Sequence, residues 1–120
     1  MIKTILLVGL GGFIGSTLRY LVSVIIKFPL FPLATLTVNI VGSFIIALVL
    51  GFAMKHQAFE QNWRLFLATG VCGGFTTFSA FSVECVQLIQ QQRYQSFILY
   101  TSLSLVAGIS ATFAGLWLTK

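Results

Sequence analysis

The sequence predicts an all-α membrane protein with four transmembrane helices, the third of which is broken inside the membrane. Of the 120 residues, 58% are hydrophobic and only 8% are charged, whereas soluble domains carry about 25% charged residues. The apolar residues fall into four runs, each long enough for the roughly 20 residues that cross the hydrocarbon core. We therefore expect residues 1–120 to form a single four-span domain.

The four spans are expected at residues 4–26, 33–53, 63–89 and 96–118. Pro29 and Pro32 lie in the first turn, where they interrupt the helical pattern. The polar stretch 55–62 separates the second span from the third, and the run 90–93, three glutamines and an arginine, precedes the fourth. The third run is unusually long, which fits a span that is interrupted.

The basic residues are scattered near the ends of the spans and form no patch, which argues against nucleic-acid binding. An even number of spans puts both termini on one side of the membrane. That side then carries four basic residues, and the opposite side carries three if Arg19 is counted there. The positive-inside rule gives no clear orientation. Two interpretations are open, either dual topology with antiparallel pairing of two copies or one fixed topology with a weak bias.

Four short helices can hardly enclose a permeation path by themselves. Small residues recur four apart at Gly11 and Gly15 and at Gly70 and Gly74, and such spacing lets membrane helices approach closely. Size and small-residue pattern together favour an oligomer.

The third span contains the glycine pair Gly73-Gly74, followed by two threonines. Glycine and β-branched threonine are weak helix formers, so we expect the helix to break at the glycine pair and leave carbonyl groups unpaired. Broken helices near the membrane midplane use such carbonyls to hold cations such as Na⁺. Two antiparallel copies that cross at this point would bring carbonyls from both chains together.

Two phenylalanines follow the break, Phe78 and Phe81, on one face of the expected helix. The positive edges of aromatic rings can face an anion. Thr77, Ser79 and Ser82 add hydroxyl donors beside them. Ordinary packing would explain an isolated phenylalanine pair, but the preceding break and the interleaved hydroxyls favour a pore.

Two interpretations are open for each of three further polar residues within the spans, Asn39, Arg19 and Glu84. Asn39 either joins helices or lines a polar path with its amide donors. Arg19 either reaches the membrane surface or supplies positive charge to an anion vestibule. Glu84 is the only acidic residue inside a span, and it either carries protons or lies near water.

Tyr100 and Ser104 lie one turn apart in the fourth span. Their hydroxyls either bond back to their own helix or face Phe78 and Phe81 in a shared path.

Three segments carry a resemblance to a known family: GGFIGSTLRY at 11–20, TLTVNIVGSF at 35–44 and GVCGGFTTFSAF at 70–81. They resemble the small bacterial fluoride channels of the Fluc or CrcB family, in the same order and spacing across all four spans. The resemblance implies a dual-topology homodimer in the inner membrane. Two antiparallel pores at the subunit interface would export fluoride passively.

The resemblance also implies roles for individual residues. A structural Na⁺ at the dimer centre would be held by third-span carbonyls at Gly73 and Thr76. The pore would be lined by two phenylalanines, an asparagine at its mouth, neighbouring hydroxyls, a polar track and two charged residues: Phe78, Phe81, Asn39, Thr77, Ser79, Tyr100, Ser104, Arg19 and Glu84. One position departs from the family pattern, because Ala80 stands where a threonine is usual.

Two other functional classes, a multidrug transporter and an enzyme, would require different residues within the spans. Small multidrug transporters are also four-span proteins, but they need an acid in the first span, where this chain has only Arg19 as a charged residue apart from the terminal Lys3. A proton-coupled transporter would have to rely on Glu84 instead. An enzyme is not expected, because the one histidine, His56, lies in a loop and no catalytic set occurs within the spans.

Overall fold

The computed structural model describes residues 1–120, and all of its regular structure is helical. Four segments are long and apolar enough to cross a membrane: Ile2–Ile25, Leu33–Lys55, Gln61–Gln90 and Tyr94–Leu118. The predicted four-span architecture is therefore confirmed. Short connections join the segments, so consecutive spans run in opposite directions.

The three unbroken helices are α1 (Ile2–Ile25), α2 (Leu33–Lys55) and α6 (Tyr94–Leu118). Pro32 stands immediately before α2 as its N-cap residue, a place where the missing proline N–H costs no helical hydrogen bond. The turn before α6 contains Gln92, whose φ of 59° is the only positive value at a residue other than glycine.

The third span consists of four helical pieces: α3 (Gln61–Arg64), a π-helical segment (Leu65–Cys72), α4 (Gly73–Phe75) and α5 (Phe78–Gln90). The backbone is extended at Thr76, with φ −85° and ψ 158°, and at Thr77, with φ −154° and ψ 120°. Thr77 starts the next helix, because its side-chain oxygen accepts a hydrogen bond from the amide of Ala80 at 3.1 Å.

The predicted broken third helix is confirmed, but the predicted position of the break is wrong. Gly73 has helical dihedral angles, φ −61° and ψ −37°, and the chain leaves the helix three residues later at Thr76. The β-branched threonines favour the extended conformation, and the Thr77 hydroxyl satisfies an amide of α5. Gly74 serves close packing against α1 instead.

The helices pack as two pairs, α1 against the π-helical segment with α4, and α2 against α6. The first contact is a glycine seam, formed by Gly11, Gly15, Gly70 and Gly74. A Cβ atom added to Gly70 would lie 2.9 Å from the Cα of Gly11, and one added to Gly74 would lie 2.6 Å from the carbonyl oxygen of Gly12. These small residues are thus used within one chain, so they give no separate argument for an oligomer.

The folded chain is a slab of 51 × 31 × 22 Å, and its shortest dimension is about two helix diameters. Only 14 of the 120 residues are buried, so most apolar side chains face outward, as lipid or a second chain would require. The small core between α2, α5 and α6 consists of Leu36, Leu88 and Tyr100. Phe81 and Cys85 of α5 pack against this core.

Candidate functional site

A cavity of about 420 Å³ lies beside the break, between α2, α5 and α6. We call it the phenylalanine cavity. Its walls combine aromatic rings with polar side chains, and the residues used below are Asn39, Ser43, Thr77, Phe78, Phe81 and Ser104. Five of these six were predicted as site residues from the sequence. Ser43 was missed, although its position one turn after Asn39 on α2 could have indicated it.

Three aromatic rings form a row that starts at this cavity: Phe78 and Phe81 line it, and Tyr100 continues the row behind Phe81. The ring centroids of Phe78 and Phe81 are 5.7 Å apart, and those of Phe81 and Tyr100 are 5.0 Å apart. Tyr100 is fully buried and Phe81 is half-buried, whereas Phe78 is 78% exposed. The row thus runs from the core of the chain to its surface.

Asn39 fixes the extended backbone of the break to α2. Its Oδ1 accepts a hydrogen bond from the Thr77 amide at 2.8 Å, and its Nδ2 donates to the Thr77 carbonyl at 3.1 Å. Of the two interpretations left open, the structure shows the joining role. An amide nitrogen carries two hydrogens, so one donor of Asn39 stays available to the cavity.

Ser104 is the one residue whose buried side-chain polar atom has no hydrogen-bond partner. Its hydroxyl does not bond back to α6, in contrast to Thr112, whose hydroxyl donates to the carbonyl of Gly108 at 3.0 Å. Buried polar groups are nearly always paired. Ser104 lines the phenylalanine cavity, and its hydroxyl is a buried polar group without a partner in the protein, so a hydrogen-bonding ligand or water held there would satisfy it.

Glu84 is held by two hydroxyl groups. Its Oε1 accepts a hydrogen bond from the Tyr100 hydroxyl at 2.8 Å, and its Oε2 accepts one from Thr35 at 2.9 Å. Thr35 was missed as a site residue, although it lies one turn before Asn39 on the same face of α2. Glu84 thereby ties α5 to α2 and α6 and sets the orientation of Tyr100.

Arg19 lies on the opposite side of α5 from the phenylalanine row. Its Nε donates to the carbonyl of Gly74 at 3.1 Å, which satisfies one carbonyl freed by the break. Arg19 also lines a cavity of about 230 Å³ together with Thr77, Ala80 and Glu84, which we call the arginine cavity. The guanidinium group thus combines a bond to the break with a place in a polar cavity.

Ser79 is not part of the phenylalanine cavity. It lines the shallow surface formed by Arg19, Val83 and Glu84 on the other face of α5. Its hydroxyl lies 3.2 Å from the Thr77 Oγ1 atom. Its position one residue after Phe78 places it away from the rings, since neighbours in a helix point about 100° apart.

The carbonyls of Gly73 and Thr76, like that of Gly74, lose their ordinary helical partners at the break. The Thr77 amide, which would bond the Gly73 carbonyl in a continuous helix, bonds Asn39 instead. The Ala80 amide, which would bond the Thr76 carbonyl, bonds the Thr77 hydroxyl. Carbonyl oxygens freed in this way are the ligands that hard cations prefer, so the carbonyls of Gly73 and Thr76 fit a sodium site. A single chain supplies only these few oxygen ligands.

Comparison with known proteins adds an independent finding. Residues 6–116 match the family model described as CrcB-like protein, Camphor Resistance (CrcB). The fluoride-specific ion channel FluC of Azobacteroides pseudotrichonymphae is 44% identical, over 100% of this chain and 98% of the relative. FluC of Gloeothece citriformis is 49% identical over 97% and 96%, and FluC of Agrobacterium fabrum is 48% identical over 97% and 95%.

Proposed function

This chain belongs to the CrcB family, and on that premise we propose that it is a fluoride channel whose pore runs through the phenylalanine cavity. The family resemblance predicted from the sequence is confirmed. The family consists of ion channels and not of enzymes, which confirms the prediction that the chain is not an enzyme. The four spans make it a multi-pass membrane protein, and we propose that it acts in the bacterial inner membrane.

The observation that carries the proposal is the unpartnered hydroxyl of Ser104 beside Phe78 and Phe81. Fluoride gives up strong hydration when it enters a membrane, so a pore must replace water with other donors. The Ser104 hydroxyl, the second amide hydrogen of Asn39 and the positive ring edges are such donors. All are neutral and none is strong, which allows the ion to leave again.

Tyr100 and Glu84 extend this path toward the arginine cavity. Tyr100 contacts the Phe81 ring and donates to Glu84, and Glu84 shares the arginine cavity with Arg19. We propose that the positive charge of Arg19 attracts the anion from water into the arginine cavity. Glu84, whose oxygens both accept hydroxyl hydrogens, acts as a positioning residue for Tyr100.

We also propose that the pore is completed by a second copy of the chain. The slab is about two helix diameters thick, and Phe78 lies 78% exposed at its surface, so one copy leaves the phenylalanine row open on one side. The nearly balanced basic residues support insertion in both directions. An antiparallel homodimer would then have two equivalent pores.

A structural Na⁺ at the centre of this dimer is part of the proposal. The carbonyls of Gly73 and Thr76 would hold it, with matching carbonyls from the second copy. When bound, the ion supplies positive charge that favours anions nearby. The chain's own residues keep those carbonyls available, because Asn39 and Thr77 take the amides that would otherwise bond them.

In this proposal the concentration gradient of fluoride across the membrane sets the direction of transport. Fluoride that accumulates in an acid-exposed cell, after entry as the neutral acid, would leave passively through the pore. No coupling residue is required. The alternative of a proton-coupled multidrug transporter gains no support from the matched relatives, and Glu84 has both carboxylate oxygens bonded within the chain.

Fluoride efflux from liposomes that contain only the purified chain tests the proposal. We expect fluoride to leave the vesicles when a potassium ionophore balances the charge, while chloride stays inside. A chain that releases neither ion, or releases both at similar rates, would contradict the proposal. Drug-proton exchange that is lost in Glu84→Gln, without fluoride efflux, would favour the transporter instead.

The phenylalanine row gives the sharpest variant for this assay. Phe81→Ile and Phe78→Ile remove the ring edges but keep apolar volume, so we expect fluoride efflux to fall about tenfold or more. Phe113→Ile serves as the matched control, because Phe113 is 71% exposed and does not line the cavity. Unchanged efflux in both cavity variants would remove the row from the pore.

A further inference from the structure

A third cavity, separate from the phenylalanine and arginine cavities, lies where α1 and the third span begin. It has a volume of about 350 Å³, and we call it the span-start cavity. Lys3, Glu60 and Asn62 are its polar lining residues, and the other four lining residues are apolar. The proposed pore uses none of these side chains.

The span-start cavity opens at the level where the membrane meets water. Gly70 lies against Gly11, near the beginning of the seam between the two segments. Phe75 lies further along the third span, against Gly15 of α1. The two segments therefore run parallel and begin at the same membrane surface. Trp63 is 55% exposed at this level, where tryptophan is enriched in membrane proteins.

The lining of this cavity changes from polar to apolar with depth. Lys3 lies in the first turn of α1, and Leu7 and Leu10 follow about one and two turns later. At 1.5 Å per residue, Leu10 is about 10 Å deeper than Lys3, whereas the headgroup layer of one leaflet is about 5–8 Å thick. Phe66 continues the apolar wall on the third span, and its ring packs edge-to-face against Trp63 with centroids 6.0 Å apart. The cavity thus has the same order of polar and apolar groups as a phospholipid.

The two charged residues of this cavity have opposite signs and are not paired with each other. Asn62 Nδ2 donates a hydrogen bond to Glu60 Oε1 at 3.2 Å, and no salt bridge joins Glu60 to Lys3. The formal charges of the lining sum to zero, so a simple anion or cation gains little there. A headgroup that carries one negative and one positive group can form a charge-assisted hydrogen bond with each residue.

We propose that the span-start cavity binds a zwitterionic phospholipid whose headgroup carries a phosphate and a primary ammonium group, as in phosphatidylethanolamine. Lys3 pairs with the phosphate, and Glu60 accepts hydrogen bonds from the ammonium group. A choline headgroup has no N–H donor for Glu60. The cavity volume is at the lower end of the range of about 300–1,000 Å³ for small-molecule sites, so it takes the headgroup and the first part of an acyl chain.

The rest of the lipid lies along the outer surface of α1. Leu10 is 53% exposed and Leu6 is 66% exposed, so the cavity is open toward the lipid phase on this side. The inference goes beyond the proposed fluoride channel and does not rest on it, because a lipid site at the membrane surface requires no pore.

Native mass spectrometry of the purified full chain tests the proposal. The protein is mixed with equal amounts of phosphatidylethanolamine, phosphatidylcholine and phosphatidylglycerol that have the same acyl chains. We expect adducts with phosphatidylethanolamine to exceed those with either other lipid about threefold, the size expected of one solvent-accessible ion pair. Equal adducts with all three lipids would overturn the proposal, as would an excess of phosphatidylglycerol.

Two variants test the two halves of the headgroup. Lys3→Gln should lower the phosphatidylethanolamine adduct about threefold, because the phosphate loses its partner. Glu60→Gln should shift the preference toward anionic phosphatidylglycerol, because Lys3 then remains as the only charge in the lining. An unchanged lipid preference in both variants would overturn the proposal.

Arg64→Gln is the matched control. Arg64 is an exposed basic residue beside Trp63 at the same membrane surface, but it does not line the span-start cavity. An equal loss of phosphatidylethanolamine in Arg64→Gln and Lys3→Gln would show a general surface-charge effect and overturn the proposal. Lys3 and Glu60 are also exposed, so we expect all three variants to elute like the wild-type chain in size-exclusion chromatography.

The outcomes also separate this inference from the proposed function. A wild-type chain that selects phosphatidylethanolamine but releases no fluoride from liposomes would overturn the channel and support the lipid site. A chain that releases fluoride normally but shows no lipid preference would overturn the lipid site alone. The second result is also the one expected if a second copy of the chain covers the cavity.

Discussion

The two halves of the third span differ in what their residues contact. The first half, the π-helical segment with α4, lies against α1 through the glycine seam, and backbone meets backbone there. The second half, α5, contacts α2 and α6 through side chains, chiefly those of Phe81, Glu84 and Leu88. Phe78, at the start of α5, remains 78% exposed.

The two halves of this span therefore have different roles: one supports the fold, and the other provides the side chains that line the cavities. No polar side chain of the first half lines the phenylalanine or the arginine cavity, and Thr76, which does, follows it at the break. Apart from Thr76 and Thr77 at the break, every third-span residue that lines the phenylalanine or the arginine cavity belongs to α5. The first half therefore acts as the fixed support, and the break presents the second half to the ion.

The largest effect is expected from Gly15→Ala, which tests the fixed half. A Cβ atom at Gly15 would overlap the carbonyl oxygen of Val71 and lie 2.8 Å from the amide of Phe75. Both are backbone atoms and cannot rotate away, so we expect a loss of about 3 kcal/mol or more. The measurement is the fraction of monodisperse protein that survives a temperature series in detergent.

Gly9→Ala on the same helix is the control. A Cβ atom at Gly9 meets nothing within 4 Å, and alanine raises helix propensity by up to about 1 kcal/mol. This variant should be as stable as the wild-type chain or slightly more stable. Equal stability of both alanine variants would show that the glycine seam does not support the third span.

The fold could be predicted closely because hydrophobic run length determines which segments cross a membrane. The position of the break could not, because glycine spacing gives the same signal for a helix interruption and for close packing. Gly73 and Gly74 lie in a helical turn that faces α1, and the interruption falls at Thr76. Only the partner helix distinguishes these two uses of glycine, and the sequence pattern does not reveal that partner.

Asn39→Ala tests the connection between the two halves, and its effect should be second in size. The substitution leaves the amide and the carbonyl of Thr77 without their partners. Unpaired polar groups in a part-buried position cost about 1–3 kcal/mol each, so we expect a stability loss of about 2 kcal/mol. Fluoride efflux per folded protein should fall as well, because the extended backbone beside Phe78 is no longer held.

Ser43→Ala is the control for this variant. Ser43 lies one turn further along α2 and lines the same cavity, but it makes no hydrogen bond to the break. Its thermal stability should stay within about 0.5 kcal/mol of the wild-type value. If Asn39→Ala were as stable as Ser43→Ala, Asn39 would belong to the ion path and not to the support.

The candidate site could be predicted in its residue types but not in its pairings. Phe78 and Phe81 line one cavity, as their spacing on one helix face indicated, and Ser104 of α6 lines it as well. The partners of Glu84 were not foreseen, because Thr35 is 49 residues away in the chain and no local pattern relates the two. Ser79 appeared equivalent to Thr77 in the sequence, yet the helix start at Phe78 turns it to the opposite face.

The smallest effect is expected from Ala80→Thr, which restores the hydroxyl that the family pattern usually has. Ala80 lines the arginine cavity with Arg19 and Glu84, away from the phenylalanine row. A hydroxyl added there faces polar space, so we expect fluoride efflux within about twofold of the wild-type rate. Stability should fall by no more than about 0.5 kcal/mol, the difference in helix propensity between alanine and threonine.

Ala80→Val separates the hydroxyl from the added volume, because valine and threonine have nearly the same shape. If the two variants behave alike, position 80 contributes only packing, and the chemistry of α5 lies on the face of Phe78 and Phe81. If Ala80→Thr raises efflux several-fold while Ala80→Val does not, the ion also contacts the opposite face of α5. The second half of the span would then carry chemistry on both faces, and the arginine cavity would be part of the conducting path itself.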